Sequence, residues 1–280
     1  MNLQRVAAFS RGEQGGNPAG VALLTEPLSD KDMARIAAEV GYSETAFAYP
    51  LSADRKHWRV RYFSPESEVP FCGHATVALG SVLGETYGLS TYSLKINQAD
   101  IEVTASQTEA GIAAELTSPQ TYSRALSEKE LSETLALLGL QVTDLDEQLP
   151  PAKIHGGADH IVLPLQRRDT LSAMHYDLDA GRELMNRHGL VTIMLVYIED
   201  AQTFHSRNAF ASGGVLEDPA TGAASAAFAG YLRDKQWPHG GKITLYQGED
   251  MGAPSVITVA LTDEPGASVS VSGSTRKIAV

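Results

Sequence analysis

Apolar and polar positions alternate in short runs along most of this chain, and only a few stretches carry helical spacing. Val6–Phe9 reads as a short strand, and Gly15–Gly20 as a turn into the apolar run Val21–Leu24. Ser29 can cap a helix, with Asp32 in its first turn and Gly41 just beyond Val40, so a helix is expected over Asp30–Val40. Tyr42–Tyr49 alternates and stops at Pro50, the pattern of a strand. His57–Phe63 alternates as well, with Trp58, Val60 and Tyr62 expected inward. Ile101–Thr104 and Ile112–Leu116 form a candidate hairpin.

Ser127–Leu140 is the next helix candidate. Ser127 and Glu130 have the spacing of a capping box, and Gly139 lies near the end. Its polar surroundings suggest a link between two domains. Strands are expected at His160–Leu165 and Val191–Ile198, with a helix near Asp179–His188 between them. Ile243–Gln247, Ser255–Leu261 and Ser268–Ser272 are late strands. Many short strands and few helices predict an α+β protein and argue against a doubly wound sheet.

Two segments resemble each other, Pro70–Leu83 and Leu216–Leu232. Each opens with a turn and continues as a run of Ala, Gly, Ser and larger apolar residues. A helix that is apolar on nearly every face is buried on nearly every face. Two such helices predict two domains, each wrapping a sheet around a central helix. The expected domains are 1–118 with a C-terminal strand at about 274–280, and 119–273.

Composition narrows the function classes. Of 280 residues, 43% are hydrophobic and 20% charged, an ordinary globular balance that removes disordered readings. The net charge of −12 repels phosphate backbones, so neither nucleic acid nor an anionic membrane is an expected partner. The single cysteine excludes an intrachain disulfide framework and a four-cysteine zinc site. Met1–Arg5 lacks the charged-then-apolar pattern of a signal peptide, and no apolar run approaches the ~20 residues of a membrane span. A cytoplasmic protein is expected.

The candidate chemistry gathers near the starts of the two apolar helices. Unpaired backbone N–H groups there favour an anion, and Gly73 and Gly222 would let a ligand come close. The plainer reading is ordinary capping by Asp218, with the glycines serving packing. Glu44 falls in a predicted strand between apolar neighbours, and a core-facing carboxylate there would suit a general base or acid. A solvated glutamate is the alternative. His74 could relay a proton or be structural. Cys72 reads as a small buried hydrophobe. The other histidines lack metal-binding spacing, and Gly-x-Gly-x-x-Gly, P-loop and serine-elbow patterns are absent. No metal and no cofactor are expected.

Several ordered motifs carry a resemblance along nearly the whole chain: Gly16-Asn17-Pro18-Ala19, Ser43–Phe47, Pro70–Thr76, Ser206-Arg207, Glu217–Gly222, Gln247-Gly248 and Ser272-Gly273. In these the chain resembles the PhzF-like phenazine-biosynthesis isomerase family, within the diaminopimelate epimerase-like fold. The resemblance implies two pseudo-symmetric domains, each a strongly bent sheet around a central helix, with the active site between them. It also implies a cytoplasmic homodimer without cofactor. On a small carboxylate substrate, Glu44 would act as base and then acid, with His74 and Asp218 placing substrate or relaying protons. Asn17, Ser43, Gly73, Ala75, Thr221, Gly222 and Ala223 are the expected substrate-binding residues. Many members carry Ser where this chain has Ala223. Cys72 falls near the place of one of the two epimerase cysteines, but Asp218-Pro219 occupies the other. The expected activity is a cofactor-independent proton-moving isomerase. Its alternatives are a racemase or epimerase using Glu44 with Asp218 or His74, and a silent binding protein.

Overall fold

The structure is a computed structural model that describes residues 2–65, 67–97, 99–108 and 111–279. The first strands are β1 (Asn2–Ala8), β2 (Asn17–Leu23), β3 (Thr45–Pro50), β4 (His57–Phe63), β5 (Glu68–Val69), β6 (Thr91–Lys95), β7 (Asp100–Thr108) and β8 (Gly111–Thr117). They are followed by β9 (Tyr122–Ala125), β10 (Ala152–His155), β11 (Asp159–Leu165), β12 (Thr192–Ile198), β13 (Thr203–Ala209), β14 (Glu217–Asp218), β15 (Lys242–Gln247), β16 (Ser255–Ala260) and β17 (Ser270–Lys277). The α-helices are α1 (Asp30–Val40), α2 (Gly73–Tyr87), α3 (Glu128–Leu138), α4 (Arg168–Ser172), α5 (Leu178–His188) and α6 (Gly222–Asp234).

Two compact units divide the chain. One holds the residues through Thr117 together with those from Ser272 on, and the other is Ser118–Val271. In the first unit β1 pairs with β2, and pairing continues through β3, β4, β6, β7 and β8 to β17, which returns to β1. The ring is a closed barrel of eight strands. In the second unit a run of strands leads from β9 through β10, β11, β12, β13 and β15 to β16.

The order of strand directions is the same in both. In the first unit β1–β2 is antiparallel, β2–β3 parallel, β3–β4 antiparallel, β4–β6 parallel and β6–β7 antiparallel. The second unit repeats this in β10–β11, β11–β12, β12–β13, β13–β15 and β15–β16. A two-residue strand precedes the apolar helix each time: β5 on β4 before α2, and β14 on β13 before α6. The two units are therefore built to one plan, as the paired small-residue segments predict.

Small residues let each apolar helix lie against its strands. Every residue of α2 from Gly73 to Gly84 is buried, and the helix packs on β1, β2, β3, β7 and β8. A Cβ on Gly80 would collide with the Val103 side chain of β7, and one on Gly84 with Ala105. In α6 the corresponding approach is Gly230 against Thr121, and the helix packs on β9, β10, β11 and β16. Outside the first ring, α1 lays Met33, Ile36, Ala37 and Val40 over Phe47 and Phe63. Ser29 caps it and Gly41 ends it in the left-handed conformation, as the sequence pattern predicts.

Some expectations are corrected. The Ser127–Glu130 capping box forms, but α3 is no linker: Leu135 and Leu138 sit in the core of the second unit. Glu44 is not within a strand; it immediately precedes β3. Ser268–Ser272 and a last strand at Arg276–Val280 are one strand, β17, which ends at Lys277; Val280 lies outside the described residues. Strand β13 escapes the hydrophobic pattern because its inward positions include Ser206 and Asn208.

The close helix–strand approach gives a sharp prediction. Ala normally improves a helix over Gly by about 1 kcal/mol. Gly80→Ala is expected to destabilise this protein instead, by about 1–3 kcal/mol, because the added methyl has no room against Val103. Urea unfolding midpoints of the two forms check the sign.

Candidate active site

The first unit concentrates polar groups at the start of α2. Thr76 Oγ1 donates to the Cys72 carbonyl at 2.7 Å, so the Tyr62 hydroxyl is the donor in its 2.5 Å bond to Thr76 Oγ1. Tyr62 is fully buried, and burial pushes its phenol well above the usual range, which keeps it a neutral donor. These bonds fix the first turn. Cys72 occupies the N-cap position without a side-chain cap bond, and the turn contains no acidic residue.

Three buried side chains meet there. His74 Nε2 lies 3.5 Å from Glu44 Oε2, and the Ser43 hydroxyl is 3.5 Å from the same nitrogen. Cys72 Sγ lies against the same ring, 3.3 Å from Nδ1 and 3.9 Å from Nε2. The thiol and the Ser43 hydroxyl lie within hydrogen-bond reach of the ring, and the Glu44 carboxylate makes an ion-pair contact with Nε2.

The second unit has a different set at the start of α6. Thr221 Oγ1 donates to Asp218 Oδ2 at 2.6 Å. Gln247, fully buried, donates to the Asp218 carbonyl and to Thr221 Oγ1, and its Oε1 accepts from the Thr221 amide. Asp218 is thus not the helix cap; Thr221 holds that position and supplies no side-chain cap bond. Behind this turn, Asn208 is paired in register with Asp218 and accepts from Thr192 Oγ1, which leaves His160 Nδ1 as donor to Thr192. Burial lowers the His160 imidazole to about 3, so it stays neutral.

The structure thus brings Ser43, Glu44 and His74 together in one unit, and Asp218 with Thr221 in the other. Gly73 and Ala75 lie in the first turn of α2, Gly222 and Ala223 in that of α6, and Asn17 is buried at the start of β2. Cys72 is buried, as the small-hydrophobe reading expects, and its sulfur also touches the His74 ring. No sequence spacing marks that contact beyond its place two residues before His74. Gln247 was legible only as part of a motif, because its partners lie far away in sequence.

A repeated ion pair holds both turns. Arg61 grips Glu68 with two bonds, Nε to Oε1 at 2.8 Å and Nη2 to Oε2 at 2.6 Å. Arg207 grips Glu217 in the same way at 3.0 and 2.6 Å. Each pair ties the two-residue strand to its neighbour just before the chain enters the buried helix. The Arg61 guanidinium holds the Glu68 carboxyl below the usual carboxylate range.

A bent sheet around a small-residue helix is thus repeated twice, with polar side chains gathered at each helix start. The profile of the phenazine biosynthesis-like (PhzC–PhzF) family matches residues 6–278, and the chain belongs to that family. A curated relative, an uncharacterized isomerase of Deinococcus radiodurans, is 34% identical over 91% of this chain and 84% of its own. Another, the uncharacterized isomerase YddE of Escherichia coli K12, is 29% identical over 97% of this chain and 94% of its own. The solved Bacillus anthracis phenazine biosynthesis protein of the PhzF family shares the fold, with a TM-score of 0.85 at 23% identity over 100% of this chain and 98% of that one. The expected fold class and family are therefore those found. Among the described residues no helix is long and apolar enough to cross a membrane.

The ion pairs differ in burial, and this sets their cost of removal. Arg207 and Glu217 side chains are 12% and 7% exposed; Arg61 and Glu68 are 21% and 26%. Breaking a buried pair leaves an uncompensated charge and costs about 3–5 kcal/mol. Arg207→Met is expected to approach that loss and Arg61→Met to fall clearly below it. Chemical denaturation of both variants checks the order.

Proposed function

We propose that this chain is a cofactor-independent isomerase that moves a proton within a small carboxylic acid, with Glu44 as base and then acid. The observation that carries the reading is the buried contact of Glu44 with His74 at 3.5 Å. A carboxylate in that position can take a proton from a carbon next to the substrate's acid group and return it to another carbon. The proton held by the carboxyl group between the two steps exchanges with water, so solvent hydrogen enters the product. Contact with His74 holds the carboxyl group in place.

In the first unit the first-turn amides at Gly73 and Ala75 are the proposed donors to the substrate carboxylate, and in the second unit those at Gly222 and Ala223 are proposed as anion-binding donors in their own right. A helix start without an acidic residue or side-chain cap suits an anion. Ala223 offers only its amide, so an anion is held there without a hydroxyl. We assign Asp218 the family-implied role of placing substrate or relaying a proton, with Asn17, Ser43 and Thr221 as further binding residues. The resemblance also supports a cytoplasmic homodimer. A second reading, epimerisation at one carbon, draws on Cys72 beside His74 as an additional proton carrier.

Glu44→Gln tests the assignment. The amide keeps the shape of the side chain and cannot accept the proton. A positioned acid–base group contributes about 10²–10⁴-fold in rate, so the proton-shift rate should fall by that range. The thermal midpoint should hold or rise, because the variant buries no carboxylate. A near-normal rate in the glutamine variant would move the role to another group.

A further inference from the structure

The geometry points to a site for a thiophilic divalent cation of the zinc class at the start of α2, held by Glu44, Cys72 and His74. Their ligand atoms lie within 4.8 Å of one another, and all three residues are buried. Through Nε2 the histidine is 3.9 Å from Cys72 Sγ and 3.5 Å from Glu44 Oε2. A tetrahedral zinc with bonds of about 2.0–2.3 Å sets its donors roughly 3.3–3.7 Å apart, so side-chain rotations that draw the widest pair in by about 1 Å close the set. Three protein ligands leave a fourth position for water.

Donor chemistry selects the ion. One sulfur, one imidazole nitrogen and one carboxylate oxygen suit zinc, cobalt or cadmium; magnesium and calcium need a shell of oxygens. Charge agrees too. A thiolate and a carboxylate together carry two negative charges, which a divalent cation cancels in a buried place. Binding breaks the Cys72 S–H bond, forms a metal–sulfur bond and sends that proton to solvent. Nothing is oxidised or reduced.

The ion occupies the atoms assigned above to proton transfer. Metal-bound Glu44 and His74 cannot shuttle a proton, so the cation acts as an inhibitor that competes with turnover. That consequence rests on the proposed function, whereas binding itself does not. Zinc that binds as described, alongside a Glu44→Gln variant of normal turnover, would remove the Glu44 assignment and leave the metal site standing.

Cobalt titration of the purified chain in thiol-free buffer is the test. The chain has one cysteine, so a thiolate-to-cobalt charge-transfer band can come only from Cys72. The expected result is that band, with visible absorption of a tetrahedral ion, saturating at one ion per chain, releasing one proton and reversed by zinc. Cys72→Ser should abolish the band. It should also weaken zinc binding, measured against a chromophoric chelator, by more than the ~10–100-fold that loss of an outer-shell partner costs. Glu44→Gln should keep the band and weaken binding. Zinc should also protect Cys72 of the unaltered chain from alkylation, a readout that does not depend on how the variants fold. Absence of the band, equal zinc affinity in all three chains, or alkylation unaffected by zinc would overturn the proposal.

Discussion

A helix enclosed by strands on every side is the constraint from which the rest of this structure follows. Such a helix has no solvent face, so its side chains are apolar, and no room at its flanks, so several are glycine or alanine. In α2 the strand β7 comes so near that Gly80 and Gly84 admit no Cβ without displacement. The interior of the helix can then hold little chemistry. Its start is different, because first-turn N–H groups have no partners within the helix and must meet polar company. The candidate site residues collect there as a direct result of how the helix is packed.

Both units meet this constraint with one plan and then diverge at corresponding positions. An Arg–Glu pair holds a two-residue strand, a proline follows, and the chain turns into the helix. Three residues into each helix a hydroxyl, Thr76 or Ser225, donates back to the N-cap carbonyl. The N-cap residue itself is Cys72 in one unit and Thr221 in the other. Two residues on, the first unit has His74 and the second Ala223. The first unit thus carries the imidazole, thiol and Glu44, and the second carries Asp218 braced by Thr221 and Gln247. A shared scaffold with different side chains at its two helix starts is the physical content of the duplication.

Much of the scaffold was legible because its causes are local. Ser29, Gly41, Ser127 and Glu130 act within a few residues, so α1 and α3 could be placed from pattern alone. The small-residue runs announced buried helices for the same reason. What was hidden depends on distant partners. Strand β13 turns Ser206 and Asn208 inward and so lacks hydrophobic alternation. Glu44 sits just ahead of β3, where its burial is decided by α2. The contact of Cys72 with His74 is set by the orientation of one imidazole ring. The motif resemblance named Glu44, His74 and Asp218, but the thiol contact and the paired arginines come from tertiary geometry alone.

The central claim is that this chain moves a proton between carbons of a small carboxylic acid without help from a bound cofactor. Incubating the unaltered protein with a set of such acids in deuterated water, and locating any deuterium by mass spectrometry and NMR, tests it most directly. The account predicts one deuteron on a carbon that bore no such hydrogen in the starting compound, in a product of otherwise unchanged composition. Label returned only to the original carbon would indicate epimerisation. Folded protein that introduces no deuterium into any of the acids would contradict the account.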